Sequence, residues 1–246
     1  MEQNLIDPEN IIPLPMPGEL WPELGDSIAF ITEDIDLQVL YSAYMQGIFP
    51  WFSEEDNEPV IWHSPNPRFC IQPEDFHLPK RLERFLKHTP YSYTMDKCFD
   101  KVITECSLMN RKDQDGTWIG SKIIDSYTKL FQLGYAHSVE AWKDDELAGG
   151  LYGVLIGSVF FGESMFTKQS DSSKSAFAVF MKAFLACGGL LVDSQCYTNN
   201  IARYGARNIS RDAFLRIEKK ALRTPLEKDL EIEFEKQSMN LVNLNS

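Results

Sequence analysis

At 246 residues, with 43% apolar and 12% aromatic side chains, the chain can fill the core of one large domain or of a small domain fused to a larger one. Its net charge of −12 speaks against a nucleic-acid partner only until it is mapped: residues 1–60 hold 13 Asp and Glu and no Lys or Arg, which leaves 24 basic against 23 acidic residues beyond. No apolar run reaches the roughly 20 residues that span a bilayer, and residues 1–10 are acidic and polar where a secretory signal is basic and then apolar, so a cytoplasmic chain is expected.

Cys70, Cys98, Cys106, Cys187 and Cys196 are scattered and form no Cys-x-x-Cys pair, which predicts reduced, mostly buried thiols. His63, His77, His88 and His137 are equally dispersed, and no metal site can be read. After Pro-punctuated residues 11–22, the first periodic segment is 37–48, where Leu37, Leu40, Tyr41 and Tyr44 mark a helix. Phe49-Pro50-Trp51-Phe52 gathers three aromatic rings around a proline, and two readings stand: a hydrophobic plug between domains, or the wall of a pocket for an apolar or aromatic group. The chain divides near residue 62 into a small acidic N-terminal domain, 1–62, a main domain, 63–222, and a polar, acidic tail, 223–246. The prolines of Ser64-Pro65-Asn66-Pro67 suit a linker entering a first strand. Residues 79–88 then read as a short amphipathic helix, with Leu82, Phe85 and Leu86 inward and Lys80, Arg81, Arg84 and Lys87 largely in solvent. That basic face is equally a solvated surface or a seat for several phosphates.

Helices are predicted at 99–109 and 121–133, the second ended by Gly134 as its C-cap. Three strands come next, 137–142, 147–156 and 159–162, joined by a turn at Lys143-Asp144-Asp145-Glu146 and by Gly157-Ser158, the composition of a two-residue type II′ hairpin. A helix at 173–187, with Phe177, Phe180, Met181 and Phe184 on one stripe, crosses over, and 190–193 returns as a buried strand. Short helices at 201–206 and 211–220 follow. Glu163 leaves the third meander strand, and Asp193 and Gln195 leave the returning one. Alone, such residues read first as turn caps. At neighbouring strand exits they share one crevice, which makes Glu163, Asp193 and Gln195 the candidate catalytic group.

Meander, crossover helix and returning strand make the fold class α/β of the α+β kind: a GNAT-like acyltransferase domain with a mixed, mostly antiparallel sheet behind the small N-terminal domain. Acetyl-CoA-dependent N-acetyltransferases and enzymes fed by aminoacyl-tRNA share this pattern and differ where the third strand enters the crossover helix. The former hold a pyrophosphate there on glycine backbone N–H groups. Residues 163–174 contain no glycine, and Asp171 would repel a pyrophosphate.

Seven blocks in one order resemble the bacterial leucyl/phenylalanyl-tRNA-protein transferases, over about residues 44–215: Gly47-Ile48-Phe49-Pro50-Trp51-Phe52, Ser64-Pro65-Asn66-Pro67-Arg68, Gly116-Thr117-Trp118-Ile119, Ala136-His137-Ser138-Val139-Glu140, Gly149-Gly150-Leu151-Tyr152-Gly153, residues 161–166, and Asp193-Ser194-Gln195. The resemblance implies an aminoacyltransferase that moves Leu, Phe or Met from aminoacyl-tRNA to the α-amino group of proteins beginning with Arg or Lys, marking them for degradation. It implies that Asp193 fixes and polarises Gln195, whose amide oxygen accepts from the attacking amine, and that Glu163 meets the acceptor's amine or basic side chain. Leu151, Phe160, Met165, Phe180 and Val192 would form the pocket for the donor side chain, with Trp51 and Trp118 stacking on the terminal adenosine. Lys80, Arg81, Arg84 and Lys87 would hold tRNA phosphates. Core packing is the alternative account of each apolar residue, and the plainer one for Leu151 and Val192. No cofactor is implied, and the chain is expected to act as a monomer away from membranes.

The chain departs from the family pattern twice. Residues 27–34 replace a Gly-Gly-Asp-rich segment, and Asn200, ahead of Ala202-Arg203-Tyr204-Gly205-Ala206, stands where a histidine is usual. Two other functions fit the same elements: an N-acyltransferase with another donor such as CoA, or another acceptor, and a non-catalytic tRNA-binding module. The connection after Gly162 speaks against a CoA donor, and Glu163, Asp193 and Gln195 speak against the module.

Overall fold

The computed structural model describes residues 6–51, 59–109 and 119–243. Strand β1 (Ile28–Thr32) precedes helix α1 (Leu37–Tyr44), whose first turn is capped by Asp36, which accepts from the Val39 N–H at 2.9 Å. The helix is shorter than expected because the chain leaves it at Gly47, φ +70, and runs into β2 (Phe49–Pro50). Strand β3 (Val60–His63) carries β1 on one side and β2 on the other, a three-stranded antiparallel sheet. The boundary expected near residue 62 thus falls inside a strand. Its Trp62 is fully buried, stacked 5.1 Å from Phe30 and donating to Thr32 Oγ1 at 2.9 Å.

The larger sheet is built from β4 (Arg68–Ile71), β5 (Ser92–Met95), β6 (Ala136–Lys143), β7 (Glu146–Ile156), β8 (Val159–Thr167), β9 (Leu191–Asp193) and β10 (Arg207–Ile209). Their order is β10-β4-β9-β8-β7-β6-β5, and only β8 and β9 run parallel. The expected meander is therefore β6–β8, its second turn closed by Gly157 at φ +58. β1, β5 and β10 lie outside the sequence expectations, since such short edges contain too few residues to show a period.

Helices cover both faces. One core joins α1, α3 (Phe99–Ser107) and α4 (Ser121–Gln132) to the sheet, through Tyr44, Val102, Tyr127, Tyr152 and Phe161. The other lies under α2 (Lys80–Leu86) and the crossover helix α5 (Ser172–Ala186), through Leu86, Leu151, Phe160 and Phe180. Beyond β9 come α6 (Asn199–Ala202) and α7 (Arg211–Ala221). Residues 223–246, read as a polar tail, instead contain α8 (Leu230–Asn243), which buries Leu230, Phe234 and Leu241 in the second core and packs on α5 and β5. Its few apolar residues among Glu and Lys make the segment look polar, although one side of it is core. Among the described residues no helix is long and apolar enough to cross a membrane.

Candidate active site

Parallel register brings the polar residues together. Phe161 lies opposite Asp193, the last pair before β9 ends, so Glu163 and Gln195 each stand two residues beyond the same rung. β8 itself continues to Thr167, so Glu163 sits within a strand and not at its exit as expected. It reaches the cleft because the register against β7 slips there: Gly153 pairs with Gly162 and Tyr152 with Ser164, leaving Glu163 as the extra residue of a bulge.

Glu163 is buried, 8% exposed as a residue. Tyr44 Oη and Gln195 Nε2 donate to its Oε1 at 2.8 and 2.9 Å; Tyr127 Oη lies 3.3 Å from Oε2 and is also hydrogen-bonded to Tyr44 Oη, so its one proton serves one of those two oxygens at a time. Burial pushes this carboxyl up to about 7, against the pull of those three donors. Burial likewise raises both tyrosines well above their ordinary value, which keeps them neutral donors.

Asp193 is fully buried and held by Arg68, with Nε to Oδ1 at 2.8 Å and Nη2 to Oδ2 at 2.5 Å. Its Oδ1 also accepts from the Gln195 backbone N–H at 2.8 Å. The expected Asp193–Gln195 coupling therefore runs through the main chain. The Gln195 amide is committed to Glu163, which leaves Oε1 as its acceptor. Glu218 of α7 is buried near Arg68, and burial raises its carboxyl well above the ordinary value while the Arg68 charge pulls it down.

Above these groups opens a cleft of about 670 Å3 lined by Glu163, Asp193 and Gln195, by the apolar Leu151, Phe160, Met165, Phe177 and Val192, and by Trp51. Phe180 does not line it. It is fully buried behind Phe160, ring centroids 4.3 Å apart, and stacks on Phe184 at 5.6 Å. Trp118 lies outside the described residues. Asn200, exposed on α6, lines the cleft. Lys80, Arg81, Arg84 and Lys87 are all exposed along α2, while Leu82 and Leu86 anchor it. At the head of α5, Asp171 binds Arg81 and Lys174, each at 3.1 Å, and places negative charge where a pyrophosphate would sit. Tyr44, Tyr127 and Arg68 were not foreseen as site residues. Only Arg68 left a signal, as a charge opening the apolar strand Arg-Phe-Cys-Ile. Among the described residues no cluster of His, Cys, Asp and Glu could hold a metal ion.

Residues 70–219 match the family model described as leucyl/phenylalanyl-tRNA protein transferase, and residues 33–66 match the model of its N-terminal domain. The chain belongs to this family. Leucyl/phenylalanyl-tRNA–protein transferases similar to it include that of Myxococcus xanthus (strain DK1622), 43% identical over 83% of this chain and 87% of that one, and that of Laribacter hongkongensis (strain HLHK9), 44% identical over 74% and 77%. Among solved structures, L-PGS from Bacillus licheniformis is 12% identical with a TM-score of 0.37, covering 72% of this chain and 65% of that one. A GCN5-related N-acetyltransferase-like protein from Streptococcus suis 89/1591 is 15% identical with a TM-score of 0.32, covering 68% and 61%. Likenesses that weak say nothing of chemistry. As a member of the leucyl/phenylalanyl-tRNA protein transferase family the chain is an enzyme, an aminoacyltransferase.

Proposed function

We propose that the chain takes leucyl, phenylalanyl or methionyl groups from aminoacyl-tRNA and joins them to the α-amino group of proteins beginning with Arg or Lys, marking them for degradation. It acts as a cytoplasmic monomer. One observation carries the reading: a carboxyl held near neutrality, Glu163, is bonded to a fixed glutamine amide at the head of a cleft with an apolar lining.

Aminolysis of an ester requires the carbonyl seated, the amine delivered uncharged and its proton received. Leu151, Phe160, Met165 and Val192 offer the donor side chain an apolar slot, Phe180 backs it, and Trp51 with Trp118 takes the adenosine. Lys80, Arg81, Arg84 and Lys87 supply exposed charge for tRNA phosphates. An α-ammonium has an ordinary pKa of about 7.7–8.0, so a carboxyl near 7 accepts its proton at little cost. The neutral nitrogen, one N–H directed at Gln195 Oε1, attacks the ester carbon. The C–N bond forms, the C–O bond to the ribose breaks, and the second nitrogen proton leaves with the ribose oxygen.

The test is transfer of labelled Phe from Phe-tRNA to a peptide beginning with Arg. Label should enter the peptide and should vanish when Asp193→Ala and Gln195→Ala are combined. Transfer that survives the double substitution removes the site assignment. Tight Phe-tRNA binding without transfer makes the chain a binding module, and transfer from acetyl-CoA instead changes the donor.

A further inference from the structure

Beneath the cleft lies a buried charge that the transfer step as described does not use. Arg68 is 1% exposed. Besides gripping Asp193, it donates from Nη1 to the Gly47 carbonyl at 3.0 Å, and its Cζ lies 4.7 and 4.6 Å from the ring centres of Phe49 and Phe214. Four separate parts of the chain, the turn after α1, β2, β9 and α7, thus converge on one guanidinium carried by β4.

Burying an ion pair contributes little to stability by itself, and apolar residues of similar volume commonly serve as well. What this pair does that an apolar pair could not is fix the direction of a carboxylate. Oδ1 of Asp193 receives both Arg68 Nε and the Gln195 backbone N–H, each at 2.8 Å. Gln195 stands at φ +60, a left-handed conformation that a side-chain-bearing residue keeps only when its surroundings hold it. The Asp193 oxygen is such a hold. From that backbone the Gln195 amide reaches Glu163.

We propose that Arg68 is a positioning residue of the transfer reaction: by gripping both oxygens of Asp193 it holds Gln195 in the left-handed turn that carries the Gln195 amide to Glu163. The inference rests on the transferase reading. A lysine at this position keeps the charge but replaces a planar fork of donors by one mobile ammonium. It would leave Asp193 free to rotate and Gln195 free to relax to a right-handed backbone.

Transfer of Phe to the Arg peptide, followed at varied peptide concentration, tests this with wild type, Arg68→Lys and Phe214→Leu, folding being checked by circular dichroism. Arg68→Lys should lower kcat on the order of 100-fold, the scale of a misplacement of about 1 Å, with peptide KM and Phe-tRNA Kd close to wild type. Phe214→Leu leaves both charges in place and removes one ring packed on the guanidinium; it should lower kcat severalfold, again with KM unmoved. A merely charge-balancing arginine is served by lysine, so a folded Arg68→Lys with wild-type kcat overturns the proposal, as does a loss confined to KM. If Arg68→Lys does not fold, Phe214→Leu decides, and unchanged kcat there overturns it. A wild type that makes no transfer sinks the transferase reading and this inference together, an outcome distinct from loss in the variants alone.

Discussion

Among single residues, pH acts most directly on Glu163. Burial raises its carboxyl from 4.5 to about 7 and Asp193 adds to the rise, while Tyr44, Gln195 and Tyr127 favour the charged form and offset part of it. If this group receives the amine's proton, kcat/KM should climb as pH passes through about 7, and Glu163→Gln should abolish that limb and slow transfer on the order of 100- to 10,000-fold. Stability runs the other way. Because the folded pKa lies above the unfolded one, the group's contribution is complete below about 4.5 and is lost as pH rises through about 7, a change on the order of 3 kcal/mol. Between about pH 5 and 8 the melting temperature of the wild type should therefore fall relative to that of Glu163→Gln; parallel curves would contradict the raised value. Glu163, Asp193 and Gln195 were legible because polar groups interrupt apolar runs there. Tyr44 and Tyr127 were not, since a tyrosine on the inner stripe of a helix reads as core, and core is where both sit. Arg68 opens an apolar strand, but its partner is 125 residues away, so no local pattern named it.

At the level of elements, the bulge in β8 decides the shape of the cleft. Side chains alternate along a strand, so Phe160 and Met165, five positions apart, belong on opposite faces. The extra residue at Glu163 reverses the phase: Phe160 and Met165 both pack with the second core, while Phe161 and Phe166 face the first. Opposite the bulge, a Cβ on Gly153 would stand 2.2 Å from the Phe161 carbonyl oxygen and 2.5 Å from the Phe160 ring. Gly153→Ala should therefore cost about 1–3 kcal/mol by overpacking, and it should raise the KM for Phe-tRNA more than that for peptide, since Phe160 lines the donor slot. An equal rise in both would detach the bulge from donor binding. Helix α2 is the other element with a separable role. Lys80→Ala with Arg84→Ala should weaken tRNA binding and reduce its log–log salt slope by roughly 1.4 to 1.8, at about 0.7 to 0.9 per phosphate lost. An unchanged slope leaves that face merely solvated.

Across the whole molecule, charge and burial together tie both ends of the chain to the main domain. The acidic N-terminal region meets basic residues of the main domain, Asp26 with Arg211 at 2.6 Å and Asp34 with Lys122 at 2.9 Å, so part of its lopsided charge serves docking. At the other end α8 closes the second core, with Ser238 Oγ donating to the Tyr93 carbonyl at 3.1 Å and Phe234 1% exposed. Phe234→Ala should cost about 3–5 kcal/mol and lower the melting temperature by on the order of 10 °C, with transfer at 25 °C retained because Phe234 stands outside the cleft. A variant that melts like the wild type would return residues 223–246 to a tail without a part in the fold.

The sequence alone determined the meander, the crossover helix, the returning strand, the three polar residues at the cleft and the basic face of α2. Each is written locally, in apolar period, turn composition or an interrupted apolar run. Only the tertiary structure decided the bulge that turns Glu163 into the cleft, the tyrosines that hold it, the Arg68 grip on Asp193, the place of Phe180 behind the slot and the docking of α8. Those depend on pairings between residues far apart in the chain, and a side chain's own neighbours in sequence carry no record of which distant group will complete its hydrogen bonds or cover its apolar face.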